Sequence, residues 1–245
     1  MVAVFVHGVP ETSAIWSPLI AALRQDDAVA LQLPGFGCAT PDGFGASMHD
    51  YATWLGDELA AIDAPVDLVT HDWGAFLAVR VLADRPANVR SWVTDGGYVD
   101  ADFQWHDLAR LWQTPGDGEA FMDGFVGGSV DDRAAMLLGS GVPESAATDL
   151  AAPIDRTMAD AILPLYRSAT EIGREWGTCV DSISVPTLII EALVDAFRSE
   201  ENTDRMASKL GADRAQLADQ GHWWMLGDPA GAAAAIEPFW GALAN

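Results

Sequence analysis

Cysteine, tyrosine and lysine are scarce in this chain, and long apolar runs are missing. Only Cys38 and Cys179 occur in 245 residues, with no paired spacing. Neither a disulfide framework nor a zinc cluster is indicated, and two reduced thiols are expected. No stretch reaches the roughly 18 uninterrupted apolar residues that a membrane-spanning helix needs. The opening segment Val2 to Val6 is apolar but short, has no basic leader and runs into a Gly/Pro turn. It reads as a buried strand rather than an export signal, which leaves the cytoplasm as the expected location. Positive charge is equally sparse, with 13 basic residues against 36 acidic ones and a formal charge of −23. Such a field repels phosphate backbones and anionic lipid, so nucleic acid and membrane are excluded as partners. No phosphate loop, dinucleotide fingerprint or metal-ligand spacing occurs, and no cofactor or metal is expected.

What is present is an alternation. Short runs rich in β-branched or aromatic residues fall at Val2–Val6, Ala28–Leu33, Val66–Thr70, Ser91–Thr94 and Thr187–Ile190, with a weaker one near Ala215–Ala218. Between them lie helical patterns. Met48, Tyr51, Ala52, Leu55, Leu59 and Ile62 recur at helical spacing, and Ser47 is placed to cap that helix. Strand–helix alternation predicts an α/β fold with a mostly parallel sheet, whose reactive residues gather beyond the carboxyl ends of the strands. The pattern breaks between about 100 and 176, where helical stretches are separated by glycines and prolines. This predicts a helical cap over a strand-end pocket, dividing the chain into core (1–99), cap (100–176) and core (177–245).

The run Thr70-His71-Asp72-Trp73-Gly74 joins the third strand to a helical stretch, as a nucleophile elbow does. Gly74 supplies the small residue that the crowded start of the helix requires. The residue at the apex is Asp72. A carboxylate there suits attack on a saturated, electrophilic carbon to form an ester.

Several motifs together resemble the α/β-hydrolase superfamily, in its epoxide hydrolase and haloalkane dehalogenase branch, closest to the epoxide hydrolases. They are His7-Gly8-Val9-Pro10-Glu11 after the first strand, Leu33-Pro34-Gly35-Phe36-Gly37 after the second, the elbow His71-Asp72-Trp73-Gly74, and Gly221-His222-Trp223 before the last helix. Their order spans nearly the whole chain. The resemblance implies that Asp72 attacks, that the backbone N–H groups of Val9 and Trp73 form the oxyanion hole, and that His222 activates water with Asp195 orienting it. Asp95, after the fourth strand, is the alternative acid, because some dehalogenases place theirs there.

The resemblance also implies a ring-opening donor in the cap, Tyr166 of Leu165-Tyr166-Arg167, for an epoxide hydrolase that makes a vicinal diol. A haloalkane dehalogenase, the alternative reading, needs two N–H donors for halide. Trp73 supplies one, and a cap tryptophan (Trp105, Trp112 or Trp176) would supply the second. His7, Pro10, Trp105, Trp112, Trp176 and Trp223 are expected around the substrate pocket, with His7 beneath the oxyanion loop. Substrate and water are then the expected small-molecule partners, the substrate being a small apolar electrophile. A third reading is a non-hydrolytic, ligand-binding member of the fold. Family members have two more strands ahead of the first motif, so a shortened sheet is expected. The strand Ala28–Leu33 would then lie at its edge, where a homodimer could cover it.

Overall fold

The computed structural model describes residues 1–243. Six strands form one all-parallel sheet: β1 (Val2–Val6), β2 (Ala28–Leu31), β3 (Val66–Thr70), β4 (Val89–Thr94), β5 (Thr187–Ala192) and β6 (Asp213–Leu217), in the order β2-β1-β3-β4-β5-β6. Every residue of β3 and β5 is buried, as parallel strands covered by helices on both faces must be. β2 forms one edge, as its sequence position implied, and is two residues shorter than its apolar run because Gln32 and Leu33 enter the following loop.

The register of the sheet determines what meets at its carboxyl rim. Val6 lies opposite Thr70, and Thr70 opposite Thr94. Three strands therefore end level, and the next residues, His7, His71 and Asp95, emerge side by side. The helix Met48–Ala60 packs behind this rim and begins in a capping box, with Ser47 accepting from the Asp50 N–H at 3.2 Å while Asp50 accepts from the Ser47 N–H at 2.9 Å. Such a cap contributes about 1 kcal/mol. Trp16, Trp73, Trp92 and Trp224 are fully buried around the sheet, and each bulky apolar side chain removed from water contributes roughly 1.5–3 kcal/mol.

Between β4 and β5 the chain runs through six α-helices, from Asp107–Gln113 to Ile172–Trp176, with no sheet strand among the described residues. Arg133, buried within this insertion, donates to the carbonyls of Ala151 (3.1 Å), Gly128 (2.8 Å) and Val126 (3.4 Å). Its guanidinium thus satisfies chain-end carbonyls that helix termini leave open. Trp105 donates its indole N–H to the Ala169 carbonyl at 2.8 Å, tying the entry of the insertion to its longest helix, Arg156–Ser168. No helix is long and apolar enough to cross a membrane among the described residues.

Candidate active site

Asp72 stands at the junction of β3 and the helix Trp73–Ala83, with φ 49° and ψ −118°. A non-glycine residue there costs about 1–3 kcal/mol and persists only when its surroundings over-determine it. They do so here. The Asp72 N–H donates to Asp95 Oδ1 at 3.3 Å, and the Gly74 N–H closes the turn on the His71 carbonyl at 2.8 Å. A methyl group on Gly74 would drive into the Val6 carbonyl, and one on Gly8 into the Asp72 carboxylate, so both glycines permit a close approach of two loops. In the resulting geometry the Val9 N–H donates to Asp72 Oδ1 at 2.9 Å. The Trp73 N–H has no partner among the described residues, which leaves two backbone donors beside one carboxyl group.

His222 lies opposite. Its Nδ1–H donates to Asp195 Oδ2 at 3.0 Å, so its Nε2 lone pair faces Asp72 Oδ2 at 3.9 Å. Asp195 is held in turn by the Phe197 N–H, which donates to Oδ1 at 2.7 Å. The structure therefore brings Asp72, His222 and Asp195 into one chain of contacts. Asp95 makes no contact of this kind with His222. It accepts from His71 Nδ1, from the Trp224 indole N–H at 2.6 Å and from the Asp72 backbone, and so braces the elbow from beneath. Burial raises the Asp72 pKa, opposed by the nearby His222 and His71 rings and the Val9 N–H. Burial and His71 act to lower that of His222, but Asp195 and Asp72 outweigh them and leave it raised above 6.5.

A second buried network lies directly behind this one. His71 donates from Nδ1 to Asp95 and from Nε2 to Glu11 Oε1 at 3.2 Å. Burial disfavours its charge, yet the two carboxylates raise its pKa well above the ordinary value, making it an imidazolium. Glu11, 1% exposed, also accepts from the Gly8 N–H at 3.0 Å and from the Trp223 indole. Burial pushes its pKa up, but His71 and the other histidines bring it down to about 2. The ring of His71 sits 4.4 Å from that of His222. Glu11 was visible in the His-Gly-Val-Pro-Glu motif, but nothing local to the sequence paired it with His71, 60 residues away.

Asp72, His222 and Asp195 open onto a cavity of about 370 Å³ that the helical insertion also lines. Of the residues expected around a substrate pocket, Pro10, Trp105, Trp112 and Trp223 are in its wall, together with Val9 and Tyr166. Two expected lining residues are not. His7 is buried beneath the loop, where its Nε2 accepts from the Leu33 N–H at 3.1 Å and its Nδ1–H bonds the Gly8 carbonyl at 2.8 Å. Both ring nitrogens are thus consumed, and burial lowers its pKa to about 4. Trp176 is turned away by the short helix Ile172–Trp176 and packs edge-on to His49 instead, with centroids 5.9 Å apart.

Tyr166 forms the hub of an aromatic cluster, edge-on to Trp73 (5.3 Å) and Trp112 (4.8 Å). The indole N–H groups of both tryptophans are buried with no acceptor in hydrogen-bonding geometry, and that of Trp73 lies near enough to the Tyr166 hydroxyl to oppose the rise in its pKa. Trp16 and Trp240 also bury unpaired N–H groups; of these four tryptophans Trp112 alone lines the cavity, while Trp73 lies just behind Asp72 and Tyr166, which do. Trp105 has given its N–H to Ala169 and cannot serve as a free donor. Burial, then the charge of Asp72, keeps the Tyr166 hydroxyl protonated far above pH 10.

Glu11, His71 and His222 offer atoms within 4.8 Å of one another that are chemically capable of holding a metal ion. His71, however, has both ring nitrogens donating to carboxylates and keeps no lone pair for a cation.

A family model described as the alpha/beta hydrolase family matches residues 3–235, and the chain belongs to that family. It is 28% identical to a haloalkane dehalogenase of Bradyrhizobium diazoefficiens, over 85% of this chain and 76% of that protein. Its fold matches a loop variant of a haloalkane dehalogenase from Bradyrhizobium elkanii with a TM-score of 0.72, at 24% identity, covering 100% of this chain and 91% of that one. A thioesterase domain from the curacin biosynthetic pathway superposes as well, with a TM-score of 0.71 at 19% identity over 96% and 90% of the two chains. At such identities the structural likeness establishes the α/β-hydrolase fold. The curated relative favours the dehalogenase alternative over the epoxide hydrolase that the motifs had put first.

Proposed function

We propose that the chain is a haloalkane dehalogenase-type hydrolase working through an ester of Asp72. An Asp72 oxygen attacks the halogen-bearing carbon; the carbon–halogen bond breaks and the halide leaves with the bonding pair. His222 then takes a proton from water through Nε2, and the hydroxide adds to the Asp72 carbonyl carbon. The Val9 and Trp73 N–H groups hold the resulting oxyanion. Collapse releases the alcohol and restores Asp72, so that haloalkane and water give alcohol, halide and a proton. The observation that carries this reading is the acceptor-free indole N–H of Trp112 in the cavity wall, with that of Trp73, one residue past Asp72, also unpaired across Tyr166. Two buried donors without partners suit an anion that appears only during turnover.

Epoxide hydrolysis is the second reading, favoured by the protonated Tyr166 hydroxyl in the cavity, because an alkoxide leaving group requires a proton donor. One experiment separates them. A His222→Gln variant is supplied with a bromoalkane panel or an epoxide panel and its intact mass is read with halide and diol release. Alkylated Asp72 with one equivalent of bromide supports the dehalogenase reading, and an adduct from epoxides alone supports the second. No adduct from either panel sinks both.

A further inference from the structure

We propose that the cavity contains an anionic subsite at Arg198, and that the substrate is an electrophile carried on a short apolar chain ending in a carboxylate. The proposal rests on the reading of Asp72 given above for what happens at the other end of that substrate. Arg198 is the only lysine or arginine in the cavity lining, in a chain with 13 basic residues against 36 acidic ones. Its charge is not needed where it points. The carboxylate it touches, Glu191, is buried and already held by the Arg214 fork, Nε to Oε1 at 2.6 Å and Nη2 to Oε2 at 2.9 Å. Arg198 adds a third bond, Nη2 to Oε2 at 2.6 Å. Its Nε–H is buried without an acceptor, and its Nη1 makes no hydrogen bond among the described residues.

A buried guanidinium N–H left unpaired is costly, and a planar fork with free donors matches a carboxylate. The immediate surroundings of the guanidinium in the cavity wall are polar and uncharged. Ser199, Asn202 and Thr203 line the same end of the cavity, where the helix Glu200–Leu210 begins and its dipole favours negative charge. Much of the remaining wall is aromatic or aliphatic, from Trp105 and Trp112 to Phe121 and Phe125, while the carboxylates of Asp72, Asp95 and Asp195 lie at the triad end. Arg198 follows Asp195 by three residues, so their Cα atoms lie within roughly 11 Å of each other. Asp72, His222 and Arg198 line the same cavity, so a molecule filling it has both the triad and the guanidinium residue around it.

The test compares 6-bromohexanoate with its neutral isostere 6-bromohexanamide in the wild type, Arg198→Gln and Arg214→Gln. Binding of unreactive hexanoate and hexanamide is read in parallel from tryptophan fluorescence. The expected result is at least a tenfold preference for the carboxylate in kcat/KM and in binding, erased by Arg198→Gln with little change toward the amide. It is retained in Arg214→Gln, which loosens Glu191 without touching the lining. Equal handling of acid and amide by the wild type overturns the proposal. So does an Arg214→Gln variant that loses the preference as fully as Arg198→Gln, since Arg198 would then act only by bracing the loop. If neither bromide reacts yet hexanoate binds selectively through Arg198, the subsite stands and the dehalogenase reading fails.

Discussion

Replacing Asp195 and Asp95 separately by asparagine should produce two different failures, although both carboxylates lie near a catalytic-site histidine. Asp195 receives the Nδ1–H of His222 at 3.0 Å, and its charge is among the factors that keep the His222 pKa raised. An asparagine preserves the shape but removes that charge and no longer dictates which ring nitrogen carries the proton. The equivalent change in a serine-protease triad lowers kcat by about 10⁴, or roughly 5.5 kcal/mol of transition-state stabilisation. Attack by Asp72 does not pass through His222, so only the second half of the reaction should stall. Asp195→Asn should therefore release one halide per active site in a burst, hold the alkyl group on Asp72, and melt near the wild-type temperature. Asp95→Asn should behave in the opposite way. It strips the buried His71 imidazolium of one of its two counter-charges, and breaking such a pair costs about 3–5 kcal/mol. For a domain of this size that is a fall of about 10 °C in Tm, with the ester turned over normally by the folded fraction. Rapid-quench halide assays, intact mass and calorimetry read all of these. If Asp95→Asn accumulated the ester while Asp195→Asn turned over freely, the assignment of the acid would be refuted.

In the free protein His222 should titrate with a midpoint above 6.5, because Asp195 and the ionised Asp72 raise its pKa; an NMR titration of its ring with a midpoint below that value would contradict the assignment. Tyr166→Phe should leave halide release within a few-fold but cut any diol formation by about 10²-fold or more, the size of a general-acid contribution. The Glu11–His71 pair should stabilise the fold most between about pH 4.5 and 6.5. Glu11, with its pKa depressed to about 2, contributes fully above 4.5 and loses that contribution as pH falls toward 2. His71, with its pKa raised, contributes fully below 6.5 and loses it as pH climbs through the elevated value. Thermal melts of the wild type against Glu11→Gln across pH 3 to 9 should show the gap between them widest in that window. Arg133→Met should cost about 3 kcal/mol by orphaning three carbonyls, seen as faster amide exchange confined to the helical insertion.

Much of the frame was legible because it is local. The runs Val2–Val6 and Val66–Thr70 coincide with β1 and β3, and Ser47 caps its helix as its spacing implied. β4 starts two residues earlier than its run, at Val89, because Arg90 interrupts the apolar pattern while it pairs with the buried Asp67. The meeting of Asp72 with His222 and Asp195 could be anticipated only through motif order, since 150 residues separate Asp72 from His222. What the sequence concealed was the direction in which large side chains turn. Trp105 and Trp112 look equivalent in sequence, yet one N–H is spent on a backbone carbonyl and the other is left open. Trp176, of the same residue type, faces His49. Helical spacing gives a residue's face but not the partner its indole finds.

Because all six strands run the same way, Asp72, Asp95, Asp195 and His222 all follow strands at one rim of the sheet, whereas Met1, 54% exposed, lies at the opposite one. Tethering the protein to a bead or an electrode through a side chain on that face would present the carboxyl rim of the sheet outward, toward the bulk solution. Immobilisation of this kind should cost turnover little.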